Sequence, residues 1–316
     1  MSENNAYILG TDPDELFRLG VQHQVWATEA QKSWENAGFT AGDTLLDLGC
    51  GPGFCTKEMA LIAGKTGKVI GVDKSKNYID FVNHLSNTYS LHIDAIEADF
   101  NDLDLPPNSI DGAYCRWALA WISNPKEILE KVYKALKPGG RFVIHEYFDW
   151  MTHQTVPSLP GLTKCIEACF ASFENFDGRI NVGRELAEFA TDIGYDIVKT
   201  RPMAKMAQVD DLSWQWPKTF YQTYFPKLVE MGYLTDKDVE DGFKDLKTIV
   251  QWNNEMGIKL FRLSSQIFAW SDEYKLSDLK DYDEICSIML EIGKIATDAN
   301  QRLTMHPGPY NCLASP

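Results

Sequence analysis

The spacing of apolar and polar positions changes period along the chain, and each change marks an element. Residues 44–48, 69–72, 92–98, 110–115 and 141–147 are short apolar runs bounded by glycine, proline, aspartate or serine, and they read as strands. Residues 54–62, 78–90 and 125–136 lie between them with helical spacing. In the last of these Ile128, Leu129, Val132 and Leu136 share a face, and Lys137-Pro138-Gly139-Gly140 stops it. Strands alternating with helices predict an α/β fold, a doubly wound and mostly parallel sheet with helices on both faces. Ligands of such sheets sit beyond the carboxyl ends of the strands, where Asp47, Asp73, Asp99 and Cys115 fall.

The flanks follow other periods. Asp12-Pro13-Asp14-Glu15 opens a helix that runs to Ala37 and carries Leu16, Leu19, His23 and Trp26 on one side. Residues 162–173 and 184–193 read as helices and 196–200 as a strand. Residues 212–257 combine helix formers with Trp214, Trp216, Phe220, Tyr221, Tyr224 and Phe225, and 263–270 reads as a last strand. Residues 281–297 read as a helix, and the end from His306 as irregular. The expected organisation is an N-terminal helical lid (1–37), an α/β core (38–150), a helical insertion (151–182), a core continuation (183–204), a helical cap insertion (205–262), a final core strand (263–272) and a C-terminal helix and tail (273–316). Counting 196–200 and 263–270, the sheet would have seven strands.

A net charge of −15 disfavours duplex nucleic acid and anionic membranes as partners, since both reward positive surface. No apolar run approaches the ~18 residues of a membrane span, and the start lacks the pattern of a signal peptide. Cys50, Cys55, Cys115, Cys165, Cys169, Cys286 and Cys312 are scattered and form no CxxC pair, so neither a metal site nor a disulfide framework is expected. The plain reading is a cytoplasmic, reduced protein.

The chemistry concentrates in Leu46-Asp47-Leu48-Gly49-Cys50-Gly51-Pro52-Gly53, a strand that ends on an acid and enters a turn of bare backbone. A dinucleotide loop needs G-x-G-x-x-G, and here Phe54 stands at the third glycine position. Asp47 would repel a pyrophosphate and suits a cationic amino group. Asp73, ending the second strand, suits two ribose hydroxyls. Asp99, ending the third, suits an exocyclic amine, with the next backbone N–H reaching a ring nitrogen. Both acids also fit a bland role as helix N-caps.

These residues resemble the core of class I S-adenosylmethionine-dependent methyltransferases, near the ubiquinone/menaquinone-biosynthesis type and its small-molecule relatives. The resemblance rests on residues 46–53, Val69-Ile70-Gly71-Val72-Asp73, Glu97-Ala98-Asp99-Phe100, Ile110-Asp111-Gly112-Ala113-Tyr114 and Leu136-Lys137-Pro138-Gly139-Gly140, in family order. It implies a Rossmann-like methyltransferase fold, S-adenosylmethionine as cofactor and a small-molecule acceptor. It also implies that Asp47, Gly49, Cys50 and Gly51 line the methionine part of the cofactor, that Asp73 holds the ribose with Lys74 beside it, and that Asp99 and Phe100 read adenine. Cys115, Arg116 and Trp117 would face the sulfonium and the acceptor. The stretches Tyr7-Ile8-Leu9-Gly10 and 15–23 resemble a preamble of small-molecule members, including fungal regulators of secondary metabolism, which implies Tyr7, Arg18, Gln22 and His23 near the cofactor.

Methyl transfer is an in-line displacement, and a base is needed only where the acceptor must lose a proton. His23, Glu146 and His153 are the candidate catalytic groups. For His23 the bland reading is a half-buried helix histidine, and for Arg116 and Trp117 it is packing at a sheet end. His145, inside a strand, reads as structural, and Cys165 and Cys169 as core. The aromatic cluster 214–225 fits both cap packing and a substrate lining. Cys-Arg-Trp-Ala after the fourth strand lacks the Asn/Asp-Pro-Pro-Tyr signature of amino-methylating DNA enzymes. The alternatives are a non-catalytic S-adenosylmethionine-binding regulator and an NAD-dependent oxidoreductase; a homodimer is compatible with all of them.

Overall fold

The computed structural model describes residues 13–153, 159–174, 178–205, 211–256, 260–264, 282–298 and 302–306. α1 (Pro13–Ala37) leads into β1 (Thr44–Leu48), α2 (Phe54–Ala63), β2 (Lys68–Asp73), α3 (Lys76–Tyr89), β3 (Ile93–Glu97), β4 (Ile110–Arg116), α4 (Pro125–Ala135) and β5 (Leu136–His145). These strands form one five-stranded sheet in the order β3-β2-β1-β4-β5, parallel throughout. The order reverses beside β1, whose neighbours are β2 and β4, so a crevice opens at the carboxyl ends of these strands.

Side chains alternate across the sheet. Leu45, Val69 and Tyr114 pack on one face against Ala30 and Trp34 of α1 and Cys55, Met59 and Ala63 of α2. Leu46, Leu48, Val72, Ile110 and Ala113 pack on the other against Ile128, Leu129 and Val132 of α4. Burial on both faces explains why β1 reads as a nearly continuous apolar run. The next long helix but one, α6 (Leu186–Ile193), packs on α4 and continues this layer. Just past its end the Tyr195 hydroxyl donates to the Leu129 carbonyl at 2.8 Å and anchors the chain there.

The cap is α5 (Pro160–Glu174), α7 (Leu212–Glu230) and α8 (Asp236–Glu255). It encloses its own cluster, with Leu162, Cys165, Ile166, Cys169 and Phe173 of α5 against Phe220, Tyr221, Tyr224, Phe225 and Leu228 of α7. Residues 212–257 thus divide into two helices, and Gly232 (φ 80°) lies in the turn between them.

Two expectations about the sheet need correction. Residues 196–200 join no ladder, and Ile197 and Val198 stand 50% and 67% exposed. An apolar run this short does not by itself determine a pairing partner. The expected final core strand is represented by β6 (Leu260–Ser264), which pairs in parallel with β7 (Arg302–His306) after α9 (Tyr282–Asp298), in a sheet of its own. Most of 263–272 lies outside the described residues. Seven strands are present among the described residues, but only five share the core sheet.

Candidate functional site

The glycine loop is pinned from below. The N–H groups of Gly49 and Cys50 both donate to the Val72 carbonyl, at 2.9 and 3.0 Å, tying the end of β1 to β2. Gly49, Gly51 and Gly53 adopt φ of 74°, 51° and 81°, the left-handed region that favours glycine. Their reasons differ. A Cβ on Gly49 would meet the Ala118 Cβ at 2.4 Å and the Phe100 ring at 3.4 Å, and one on Gly53 would meet Val82 at 2.7 Å. A Cβ on Gly51 would meet nothing within 4 Å. Packing requires the outer two glycines, while the middle one faces open space.

Asp73 ties that open face to β2. One carboxylate oxygen accepts from the Gly51 N–H and the other from the Ser75 N–H, each at 2.9 Å. Burial pushes its carboxyl up, and these N–H groups and the exposed Lys74 pull it back. A carboxylate has about four acceptor sites, more than these backbone donors fill. Asp99 is exposed at the end of β3; it accepts from the Asn101 N–H at 2.9 Å and so caps the turn Phe100–Asp102. That turn carries the Phe100 ring to Gly49.

Asp47, Cys50 and Cys115 are buried among protein neighbours. Asp47 is 2% exposed and accepts from the Thr56 hydroxyl at 2.6 Å, bracing β1 against the first turn of α2. Burial raises its carboxyl to about 6, against the pull of Thr56 and Arg116. The Cys50 thiol packs with Ile79 and Val82 of α3, leaving only backbone in the loop. The Cys115 side chain is fully buried in the sheet core cluster with Leu48 and Leu119.

Arg116 and His23 meet where β4 ends beneath α1. Arg116 Nη2 lies 3.3 Å and the Cys55 thiol 3.7 Å from His23 Nδ1. Burial holds that thiol up at about 12, so it is protonated, and arginine has no acceptor. The lone pair of His23 therefore sits on Nδ1, and Nε2–H donates to Glu58 Oε1 at 2.9 Å. Gln31 donates to the other oxygen of Glu58 at 3.0 Å. Burial alone would raise the Glu58 carboxyl, but His23 and Gln31 hold it below its ordinary range.

Along the N-terminal half of α1 the buried face is polar. Glu15, Arg18, Gln22 and His23 are buried, while Leu16 and Leu19 are only half-buried. Arg18 donates to both oxygens of Glu15, at 2.6 and 2.7 Å, and to Gln22 at 3.1 Å; the same Gln22 oxygen accepts from Trp216 Nε1 of α7 at 2.9 Å. A buried ion pair persists only with such bidentate geometry. Tyr7 lies outside the described residues.

Residues 46–144 match the family model described as a methyltransferase domain. The chain carries a methyltransferase domain. A 2-phytyl-1,4-naphtoquinone methyltransferase of Trichormus variabilis is 28% identical over 196 residues, 58% of this chain and 84% of that protein. A demethylmenaquinone methyltransferase of Symbiobacterium thermophilum is 36% identical over 111 residues, 34% of this chain and 44% of that protein. The chain spans about half the length of several curated relatives it matches. A solved SAM-dependent methyltransferase from Aquifex aeolicus aligns at 24% identity and a TM-score of 0.36, over 38% of this chain and 65% of that one. Residues 229–316 match the UV-endonuclease UvdE model, a stretch whose described elements include α8, β6, α9 and β7. Among the described residues no three His, Cys, Asp or Glu side chains gather as a metal ion would need, and no helix is long and apolar enough to cross a membrane.

Within and beyond the methyltransferase domain, the other two candidate catalytic groups fall in different places. Glu146 leaves β5 and accepts the Leu119 N–H at 2.7 Å; its Oε2 is buried without a partner, and burial raises the carboxyl to about 8. It shapes the turn after Trp117. His153 belongs to the cap, bonded to the Tyr221 hydroxyl and stacked on Trp150 at 5.7 Å. His145 bridges the Tyr114 hydroxyl and Ser33 of α1, as a structural histidine would, and burial beside Arg116 and Arg201 lowers it to about 4. Sequence reasoning missed Glu58, Gln31, Ala118 and the specific role of Trp216. Glu58 stands three residues after Cys55 on α2, and no pattern within that helix points to a histidine on α1.

Proposed function

We propose that this chain binds S-adenosylmethionine across the glycine loop and transfers its methyl group to a nucleophilic oxygen, nitrogen or carbon of a small molecule. The observation that carries this reading is the unfilled face of Gly51, held open by the Asp73 carboxylate at the switch point of a methyltransferase domain. The cradle fits the cofactor: a side chain at Gly51 would fill the space a ligand needs, and the Asp73 carboxylate beside it would accept from a ribose hydroxyl.

Asp73 would hold the ribose, Asp99 and Phe100 the adenine, and the backbone of 49–51 the methionine part. When bound, S-adenosylmethionine supplies an activated methyl group whose leaving group is a neutral thioether, so no acid is needed. The chain supplies alignment, worth on the order of 7–11 kcal/mol where two reactants are held in line. Trp26, Trp117, Tyr147 and Trp216 keep water from the end of β4. His23 Nδ1 faces Arg116 and the Cys55 thiol while Glu58 orients the ring, so His23 would serve as a base only for an acceptor that takes the place of Arg116 at Nδ1.

A thermal shift tests the reading. S-adenosylhomocysteine at a hundredfold excess over Kd should add about 2.7 kcal/mol to the folded state. NADH should add nothing. Stabilisation by NADH instead would support the oxidoreductase.

A further inference from the structure

Trp117 follows Arg116 at the end of β4 and adopts φ 53°, a conformation that bulky side chains rarely take. It is held there by its own N–H, which donates to the His145 carbonyl at 2.9 Å, and by Glu146, which caps the next turn. The following residue, Ala118, closes on Gly49 of the loop. The strained backbone therefore presents an indole ring beside the cofactor cradle.

Two further rings lie nearly parallel to that indole, Tyr147 at 5.9 Å and 17° and Trp216 at 5.4 Å and 21°. Trp26 stands edge-on to both indoles, at 5.6 and 5.1 Å. The two rings are not equivalent. Tyr147 continues directly from β5. Trp216 belongs to α7, is tethered by one hydrogen bond to Gln22, and precedes Pro217, which gives the helix no N–H.

The plug also leaves a demand unmet. Arg116 lies with its guanidinium carbon 5.2 Å from the Trp117 ring centre, and its Nη1 is buried without a hydrogen-bond partner. An indole has a donor and no acceptor, so Trp216 supplies the ring but nothing for Arg116. A planar ring bearing an acidic oxygen supplies both.

We propose that the Trp216-covered face of Trp117 is the acceptor subsite, that it takes a planar aromatic ring with a phenol-type oxygen directed at Arg116, and that Trp216 occupies it until such a ring displaces it. This deepens the methyl-transfer reading by naming the acceptor class, and it rests on that reading for its catalytic meaning.

Calorimetry without cofactor tests the subsite separately from cofactor binding. The probes are 2-naphthol, naphthalene and decahydro-2-naphthol, titrated into the full chain and into Trp216→Ala and Trp216→Phe. Trp216→Ala should bind 2-naphthol at least tenfold more tightly than the unaltered chain, and Trp216→Phe, which keeps a ring but loses the Gln22 bond, about threefold. Decahydro-2-naphthol should show no gain. In Trp216→Ala, adding Arg116→Gln should abolish the preference for 2-naphthol over naphthalene. Equal 2-naphthol affinity in all three proteins, or an equal gain for the saturated ring, overturns the proposal. If Trp216→Ala does not fold, an unchanged affinity in Trp216→Phe overturns it. Loss of S-adenosylhomocysteine binding alongside the expected naphthol gain would instead count against the cofactor reading and leave the subsite standing.

Discussion

In the sheet half, the buried side chains are mostly aliphatic: Leu45, Leu46, Leu48, Val69, Val72 and Ile110 are fully buried, in strands closed on both faces by helices. The cap half is richer in aromatic rings, with Trp150, Phe173, Phe220, Tyr221, Tyr224 and Phe225 buried among aliphatic side chains, and its tyrosine hydroxyls are paired where Tyr224 meets Ser172 at 2.6 Å and Tyr221 meets His153. The sheet fixes backbone: loop amides, the ends of strands, and the carboxylates Asp73 at the end of β2 and Asp99 just after β3. The cap supplies flat amphipathic rings that can pack on each other or on a ligand. Between them α1 buries charge. The contrast teaches a division of labour in which the rigid half would hold the cofactor and the aromatic half would choose the acceptor.

The first two glycines of the loop break or sharpen this view most strongly. Gly49→Ala places a Cβ against Ala118 at left-handed φ, and overpacking plus strain should destabilise the fold by roughly 2–5 kcal/mol in urea unfolding. Gly51→Ala meets no atom and should cost only about 1–2 kcal/mol from its backbone. It should nonetheless weaken S-adenosylhomocysteine at least tenfold by calorimetry. If both variants lose stability alike, Gly51 is structural and the cradle lies elsewhere.

Asp73→Ala comes next. It removes the acceptor for the Gly51 and Ser75 N–H groups, and each bond to a charged group contributes roughly 1.5–3 kcal/mol. Cofactor affinity should drop about a hundredfold, and an unchanged Kd would remove the ribose assignment.

Glu146→Gln tests the boundary between the halves through pH. The folded carboxyl titrates at about 8 against an ordinary 4.5, so the folded state keeps a proton that the unfolded chain has lost. Stability of the unaltered chain should therefore fall, relative to Glu146→Gln, as pH rises from 4.5 to 8, and level off above. Each pH unit between the two titrations corresponds to about 1.4 kcal/mol, so the full difference is on the order of a few kcal/mol. His145 runs the opposite way, since its folded pKa is lowered and the unfolded chain binds the proton first. Its destabilising effect grows as pH falls from 6.5 to about 4, but it is present in both proteins and cancels. Parallel pH profiles would place Glu146 in water. Smallest of all, Asp99→Ala loses one cap bond to Asn101, worth about 0.5–2 kcal/mol, and should weaken the cofactor less than Asp73→Ala does.

The glycine loop, the acids at the strand ends and the core strands were legible because their signals are local: a strand period, a glycine spacing, an acid at a boundary. Asp47 shared that signal and still turned inward, since its neighbour on α2, Thr56, offers a hydroxyl that the strand pattern does not reveal. The polar burial on α1 inverted the expected stripe of Leu16 and Leu19 because the surface it covers contains Arg116 and Trp216 rather than aliphatic side chains. Residues 196–200 looked like a strand from composition, but pairing depends on a partner edge that composition does not encode. Glu58 with His23, and Gln22 with Trp216, join helices far apart in the chain, and only the fold brings them together.

The central claim is that the face of Gly51 beside Asp73 holds S-adenosylmethionine. Calorimetric titration of the full chain with S-adenosylhomocysteine, with NADH as comparison, addresses it directly. Saturable binding of one S-adenosylhomocysteine per chain, reduced at least tenfold in Gly51→Ala, and no heat with NADH is the predicted result. Absence of binding up to millimolar S-adenosylhomocysteine, or binding that Gly51→Ala leaves untouched, would contradict it.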